Sequence, residues 1–213
     1  MYRAVIFDMD GLLIDTEKIS YQVFRKLLEQ FGHPFSIVEY TNIYSGRTEV
    51  QNTAELITRY ALPLTQAQCI EATDHIERQL LAQGAPLKPG AMELLAHLDK
   101  RGVRTALATS STKERAVALL QQHQLLDVFD AIVFGDEISH SKPHPEIFLR
   151  TCEKLSLSPQ ECLVLEDSEA GIRAAHAAHC AAICIPDLKE PSANCRALLQ
   201  AKLSSLSDVT AYF

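Results

Sequence analysis

No stretch of this chain is apolar over enough residues to span a bilayer as a helix. Basic excess is missing too: 20 Lys and Arg stand against 27 Asp and Glu, a formal net charge of −7. With no basic cluster to offset that balance, neither a membrane nor a nucleic acid is an expected partner. The N-terminus runs directly into a short apolar segment with a charged end, which is not a leader pattern, so a cytoplasmic protein is expected. Six cysteines are present (Cys69, Cys152, Cys162, Cys180, Cys184 and Cys195), but no CxxC pair and no zinc-finger spacing. Set mostly within apolar periodic stretches, they read as free buried thiols without a catalytic role. Internal repeats and low-complexity segments are also lacking. The 213 residues, 47% hydrophobic and 22% charged, allow one large globular domain or a core with a modest insertion.

What the chain does have begins at its first apolar run. Arg3-Ala4-Val5-Ile6-Phe7 leads into Asp8-Met9-Asp10-Gly11 and then Leu12-Leu13-Ile14-Asp15-Thr16-Glu17. This pattern is a buried strand that delivers two carboxylates to its C-terminal edge, where open α/β sheets bind ligands. Like charges that close are costly to bury unless a cation neutralises them or one carboxyl keeps its proton.

Beyond Thr16 the apolar period changes to that of a helix. Ile19, Val23, Phe24, Leu27, Leu28 and Phe31 form one stripe, ended by Gly32 and Pro34. A second helix is expected after Ser45-Gly46-Arg47, carrying Val50, Ala54, Leu56, Ile57 and Tyr60, and a third from about Thr65 to Ala82. No strand pattern falls between residues 17 and 85, so residues 16–85 are expected to form a helical subdomain. The breaker-rich Gly84-Ala85-Pro86-Leu87-Lys88-Pro89-Gly90 suits a hinge back to the core. From Gly90 onward strands and helices alternate. Strands are expected at 103–108, 131–134, 162–165 and 181–185, each followed by polar residues: Thr109, Asp136, Glu166/Asp167 and Asp187. Alternation of this kind predicts an α/β fold with a parallel sheet covered on both faces. One sheet edge would then gather hydroxyls and acids from distant parts of the chain.

Those residues suit metal-assisted phosphoryl transfer, which needs a nucleophile, an acid/base, a cation and donors for the phosphoryl oxygens. Asp8 can attack phosphorus and carry an aspartyl-phosphate. Asp10 can protonate the leaving alkoxide and later take a proton from water. Gly11 permits the tight turn that brings Asp10 over the site. Asp167, with Glu166 beside it, offers the oxygen ligands that Mg²⁺ takes. Thr109 and the N–H groups of Ser110 and Ser111 precede a helix and suit a phosphate cradle. Lys142, in Ser141-Lys142-Pro143-His144-Pro145, can neutralise phosphoryl oxygens and Asp8. Singly these are an ordinary turn, an N-cap, a loop lysine and a pair of helix-dipole acids. Their order, each at a strand end, joins them into one site.

Together these segments resemble the haloacid dehalogenase-like superfamily, in its β-phosphoglucomutase-like and pseudouridine-5′-phosphatase-like branch, across essentially the whole chain. Asp8-Met9-Asp10-Gly11 through Glu17 is similar to its first motif, and Ala106-Leu107-Ala108-Thr109-Ser110-Ser111 to its second. Ser141-Lys142-Pro143 is similar to the third, and Leu165-Glu166-Asp167-Ser168 with Ala170-Gly171 to the fourth. The resemblance implies a Rossmann-like core (residues 1–15 and 86–213) with a helical cap (16–85) inserted after the first strand. It implies Mg²⁺ held by the Asp8 side chain, the Asp10 backbone carbonyl and Asp167, with Glu166 in support. The second Asp of the DxD favours phosphate chemistry over dehalogenation.

The branch contains phosphatases and sugar-phosphate mutases. Where the mutases carry a cap His, this chain has Ser20; near their phosphate-clamping Arg it has Gly46-Arg47-Thr48-Glu49. Without that clamp, water is expected to take the phosphoryl group. The sequence therefore points to a Mg²⁺-dependent phosphatase acting on a small phosphorylated metabolite, a sugar phosphate or nucleoside monophosphate. A mutase is the alternative within the branch, and a non-catalytic binding protein on the same core is the alternative outside it. A monomer is expected. Thr16, Ser20, Gly46 and Arg47 are candidates for substrate contact, as are Tyr44, His75 and Arg78. His140 and His144, either side of Lys142, are assigned no role. His176 and His179 read as a surface pair on the helix after the fourth motif, with no third metal ligand in view.

Overall fold

The computed structural model describes residues 2–45 and 47–213. They divide into two compact units, Met1–Asp15 with Pro86–Phe213, and Thr16–Ala85.

The first unit is built on a six-stranded, wholly parallel sheet. Its strands are β1 (Ala4–Phe7), β2 (Arg104–Ala108), β3 (Ala131–Val133), β4 (Cys162–Glu166), β5 (Ala181–Cys184) and β6 (Ala201–Lys202). Their order in space, β3-β2-β1-β4-β5-β6, is that of a doubly wound Rossmann-like fold. All four β1 residues are fully buried, as a central strand covered on both faces requires. Phe7 pairs with Leu107 on one side and Leu165 on the other. That register puts the residues just beyond β1, β2 and β4 at one level of the sheet edge. Ile147, Phe148, Cys152 and Leu155 of one helix and Ala174 and Ala175 of another pack on Ala4, Ile6, Ala106 and Val164. All six cysteines are free and buried. Among the described residues no helix is long and apolar enough to cross a membrane.

The second unit is helical: α1 (Glu17–Gln30), α2 (Ile37–Ile43), α3 (Glu49–Tyr60) and α4 (Gln66–Leu81). Thr48 with Gln51 and Thr65 with Gln68 form capping boxes that start α3 and α4. Its interior is aromatic: Phe24 and Phe35 meet Tyr44 edge-on, each at 5.5 Å between ring centroids. The two chain segments that border this unit run side by side. Asp15 N–H donates to Pro86 O at 2.8 Å, and Lys88 N–H to Leu13 O at 2.9 Å.

Helices α5 (Ala91–Lys100), α6 (Lys113–Gln122), α7 (Glu146–Leu155), α8 (Glu169–Ala177) and the short α9 (Ala193–Arg196) complete the first unit. Three elements depart from the sequence expectation. Helix α2 is absent from it, because Ile37, Val38, Thr41 and Ile43 are β-branched and favour strands. The available signal was Ser36, whose hydroxyl caps α2 by accepting from Glu39 N–H. Strand β6 and helix α9, of two and four residues, are too short to carry a period. His179 is not on the helix of His176: α8 ends at Ala177, and His179 lies beyond it at φ 60°.

Candidate active site

The site is assembled at the C-terminal edge of β1, β2 and β4, and its two aspartates face different partners. Asp8 continues the register of β1, its N–H donating to Leu165 O at 3.0 Å. Its side chain is 9% exposed, and Lys142 Nζ lies 2.5 Å from its Oδ1. The same ammonium donates to Glu166 Oε1 at 2.7 Å and to Ala108 O at 3.1 Å. All three of its donors are engaged, so as found it neutralises carboxylates and has no N–H left for a phosphoryl oxygen. Burial works against charge on Lys142, but Asp8 and Glu166 reverse this and hold its pKa above the ordinary lysine value. For Asp8, burial pushes the carboxyl up to about 8. Lys142 opposes that shift; Glu166 and Asp10 reinforce it.

Glu166 is fully buried and held at both oxygens. Oε1 meets Lys142, while Oε2 accepts from Asp167 N–H, Ser168 N–H and Ser168 Oγ at 2.8 to 3.1 Å. Gly171 leaves room for it: a Cβ there would lie 1.7 Å from Glu166 Oε1. The geometry makes Glu166 a fixed support for Lys142 and the Asp167 backbone.

Asp10 turns the other way. Its Oδ1 accepts from Arg115 Nη1 at 2.7 Å, and its Oδ2 from Ser111 Oγ at 2.7 Å and, at a long 3.4 Å, from Thr109 Oγ1. Its side chain is 29% exposed. Thr109 is fully buried and accepts Ser111 N–H at 3.0 Å. The first free N–H groups of α6 are also taken, that of Lys113 by Asp136 and that of Arg115 by Thr112. The phosphate cradle expected from Ser110, Ser111 and a helix start is therefore committed in part to its own loop. Gly135 lets that loop pack closely, since a Cβ there would lie 2.1 Å from Ser110 O.

Three carboxylates, Asp8, Glu166 and Asp167, offer oxygens that all lie within 4.8 Å of one another. Set against the single ammonium of Lys142, these four groups carry a formal balance of −2. A Cβ on Gly11, at φ +78°, would lie 2.4 Å from Asp167 Oδ2 and 3.4 Å from Asp187 Oδ2. Asp187 accepts Lys88 Nζ on Oδ1 at 2.6 Å, while its buried Oδ2 has no hydrogen-bond partner. An all-oxygen set with excess negative charge, a raised Asp8 pKa and an orphan acceptor beside it fits a hard divalent cation. Asp10's carboxylate is not in this cluster, which leaves its backbone carbonyl as its candidate ligand.

The remaining expected residues lie in the helical unit. Thr16 is buried, and its carbonyl accepts Ser20 N–H at 2.9 Å and Ser20 Oγ at 3.3 Å. Arg47 is engaged locally, donating to Ile43 O at 3.0 Å and lying 3.6 Å from Glu55. Tyr44 is fully buried in the aromatic cluster, so it is no surface contact residue. His75 pairs with Gln79, and Arg78 with Asp74 O, on the exposed face of α4. Gly46 lies outside the described residues. The sequence reading missed Arg115, one basic residue on an amphipathic helix, and the pairing of Lys88 with Asp187 across 99 positions. Only the spacing of Arg115 one turn past the Thr109-Ser110-Ser111 loop could have drawn notice to it.

A Rossmann-like sheet with this edge of aspartates, lysine and hydroxyl groups defines the class as a hydrolase on an α/β core. The chain belongs to the haloacid dehalogenase-like hydrolase family, whose model matches residues 5–185. It is 31% identical over 176 residues to a phosphorylated carbohydrates phosphatase of Thermotoga maritima, covering 83% of this chain and 81% of that one. To hexitol phosphatase B of Escherichia coli it is 30% identical, covering 98% of this chain and 94% of the relative. Crystalline CbbY from Rhodobacter sphaeroides, in complex with phosphate, superposes with a TM-score of 0.80 at 27% identity, covering 98% and 96%.

Proposed function

We propose that this protein is a Mg²⁺-dependent phosphatase that hydrolyses a small phosphomonoester through an aspartyl-phosphate on Asp8. The observation that carries the reading is the division of the two aspartates. Asp8 is buried against Lys142 and the acidic cluster, and Asp10 is held two residues away by Arg115 and Ser111. Asp8, Asp167 and the Asp10 carbonyl would hold the cation, which when bound offsets negative charge on the phosphoryl oxygens and on Asp8. Asp8 Oδ attacks phosphorus as the ester oxygen leaves. Asp10, placed by Arg115 and Ser111 and in its protonated form, gives its proton to that oxygen. It then takes a proton from the water that attacks the aspartyl-phosphate, returning Asp8 and inorganic phosphate. Thr109, Ser110 and Ser111 would hold the phosphoryl oxygens once the substrate replaces their mutual hydrogen bonds. Lys142 keeps Asp8 placed and its charge balanced.

The relatives named for phosphorylated carbohydrates and hexitol support a sugar or polyol phosphate as the substrate class. A phosphatase is favoured over a mutase because Arg47 is answered within its own unit by Ile43 O and Glu55, and because Ser20 replaces the mutase His. We assign the helical unit the role of a cap that selects the leaving group. The test is release of phosphate from p-nitrophenyl phosphate and from a panel of sugar and nucleoside monophosphates, with Mg²⁺ and with a chelator. Metal-dependent release is expected. No release from pure protein sinks the reading, and isomerisation of a hexose phosphate faster than phosphate appears replaces it with the mutase.

A further inference from the structure

A second group of metal-type ligands gathers among the described residues, and it differs in chemistry from the acidic cluster. His140, His144 and Glu146 each bring a ligand atom within 4.8 Å of the other two. The two imidazole rings lie 4.5 Å apart between centroids and are both exposed. The carboxylate between them is already oriented. Glu146, the first residue of α7, accepts Ser139 N–H on Oε1 at 2.9 Å and His140 N–H on Oε2 at 3.0 Å. Arg150, one turn on, lies 3.3 Å from the same Oε1. Oε2 also meets His140 Nδ1 at 3.0 Å, and Glu146 N–H reaches His144 Nδ1 at 3.3 Å. Backbone amides that fix a carboxylate while leaving it lone pairs are the supporting contacts that metal ligands use.

We propose that His140, His144 and Glu146 form a second cation site, for a borderline transition metal of the Zn²⁺ class. Two imidazole nitrogens and one carboxylate oxygen suit such an ion, whereas Mg²⁺ takes oxygen ligands alone. On binding, the metal replaces the contact between His140 Nδ1 and Glu146 Oε2, the neutral imidazole carrying its proton on Nε2, and water completes the coordination. The position gives the site a consequence. His140 and His144 bracket Lys142, whose buried ammonium clasps Asp8 and Glu166 on the opposite side of the same loop. A metal here ties both ends of that five-residue segment to α7 and fixes the lysine's approach to Asp8.

The test uses the full chain, stripped with a chelator and returned to saturating Mg²⁺. Zn²⁺ is titrated by calorimetry and Co²⁺ by its visible absorption. One Zn²⁺ per chain is expected, retained against Mg²⁺, with a Co²⁺ spectrum of an ion bearing nitrogen ligands. Amides of residues 139–146 should gain protection from hydrogen exchange. His140→Ala and His144→Ala should each weaken the site at least about tenfold, roughly 1.4 kcal/mol, while Asp167→Asn leaves it intact. Both histidines are exposed, and circular dichroism checks that the variants fold. Absence of Zn²⁺ binding overturns the proposal. So does binding unmoved by either histidine change, or binding lost in Asp167→Asn, which would move the ion to the acidic cluster.

Discussion

Asp8 and Asp10 stand two residues apart in one turn, yet their surroundings are opposite. Asp8 is buried, touches a lysine whose charge is shared with Glu166, and has its pKa pushed up to about 8 by burial. Asp10 is partly exposed and answers to a guanidinium and a serine hydroxyl. The difference teaches that the roles of two identical side chains are set by which strand end each one faces. Asp8 looks toward β4, whose end supplies Glu166 and Asp167. Asp10 looks toward β2, whose end supplies Thr109 and Ser111, with Arg115 on the helix beyond. Gly11 makes the division workable, because its positive φ and missing Cβ let the turn pass beside Asp167.

The comparison breaks most completely at Asp8. Asp8→Asn should lower turnover by roughly four orders of magnitude or more while the chain still folds, as steady-state kinetics and circular dichroism would record. Asp10→Asn should lower it by roughly two to four orders of magnitude on an alkyl phosphate. The loss should be smaller on p-nitrophenyl phosphate, whose leaving group needs no proton. Equal losses on both substrates would remove Asp10 from leaving-group protonation. Arg115→Ala should reduce kcat about tenfold to a hundredfold, the scale for a misplaced catalytic group. Arg115→Lys should recover part of that loss, because a lysine still offers Asp10 a cation.

The smallest effect sharpens the electrostatic half of the comparison. In metal-free protein the folded pKa of Asp8 is near 8, against 3.8 as the ordinary value. Between those values the unfolded chain binds fewer protons, so stability falls as pH rises from about 4 to about 8 and then levels. Thermal unfolding in chelator should therefore move to lower temperature across that window, and Asp8→Asn should flatten the curve. Mg²⁺ competes with the same proton, so its affinity should rise over the same range. A flat stability profile for the parent chain would mean that Asp8 is ionised without the cation.

Much of this is legible in the sequence alone. Each core strand is a short apolar run ended by a polar residue, so β1 to β5 and the edge they share follow from period and punctuation alone. Asp8, Asp10, Thr109, Lys142, Glu166 and Asp167 stand at strand ends or in one proline-stiffened loop. What was not legible depends on tertiary choice. Lys142 has three donors, and nothing local says that Asp8, Glu166 and Ala108 O take all of them. Arg115 and the Lys88–Asp187 pair meet their partners across about a hundred positions. Gly135 and Gly171 are required by what packs on them, Ser110 O and Glu166, and not by a turn signal. Helix α2 shows packing overriding propensity, since Tyr40 anchors β-branched residues in a helix through the aromatic cluster.

The central claim is that Asp8 carries the phosphoryl group. It is tested most directly by mixing the Asp10→Asn variant with Mg²⁺ and a substrate, quenching in acid within a single turnover, and reducing with borohydride before peptide mass spectrometry. Conversion of Asp8, and of no other carboxylate, to homoserine is expected. Unmodified Asp8 while phosphate is released in the same turnover would contradict it.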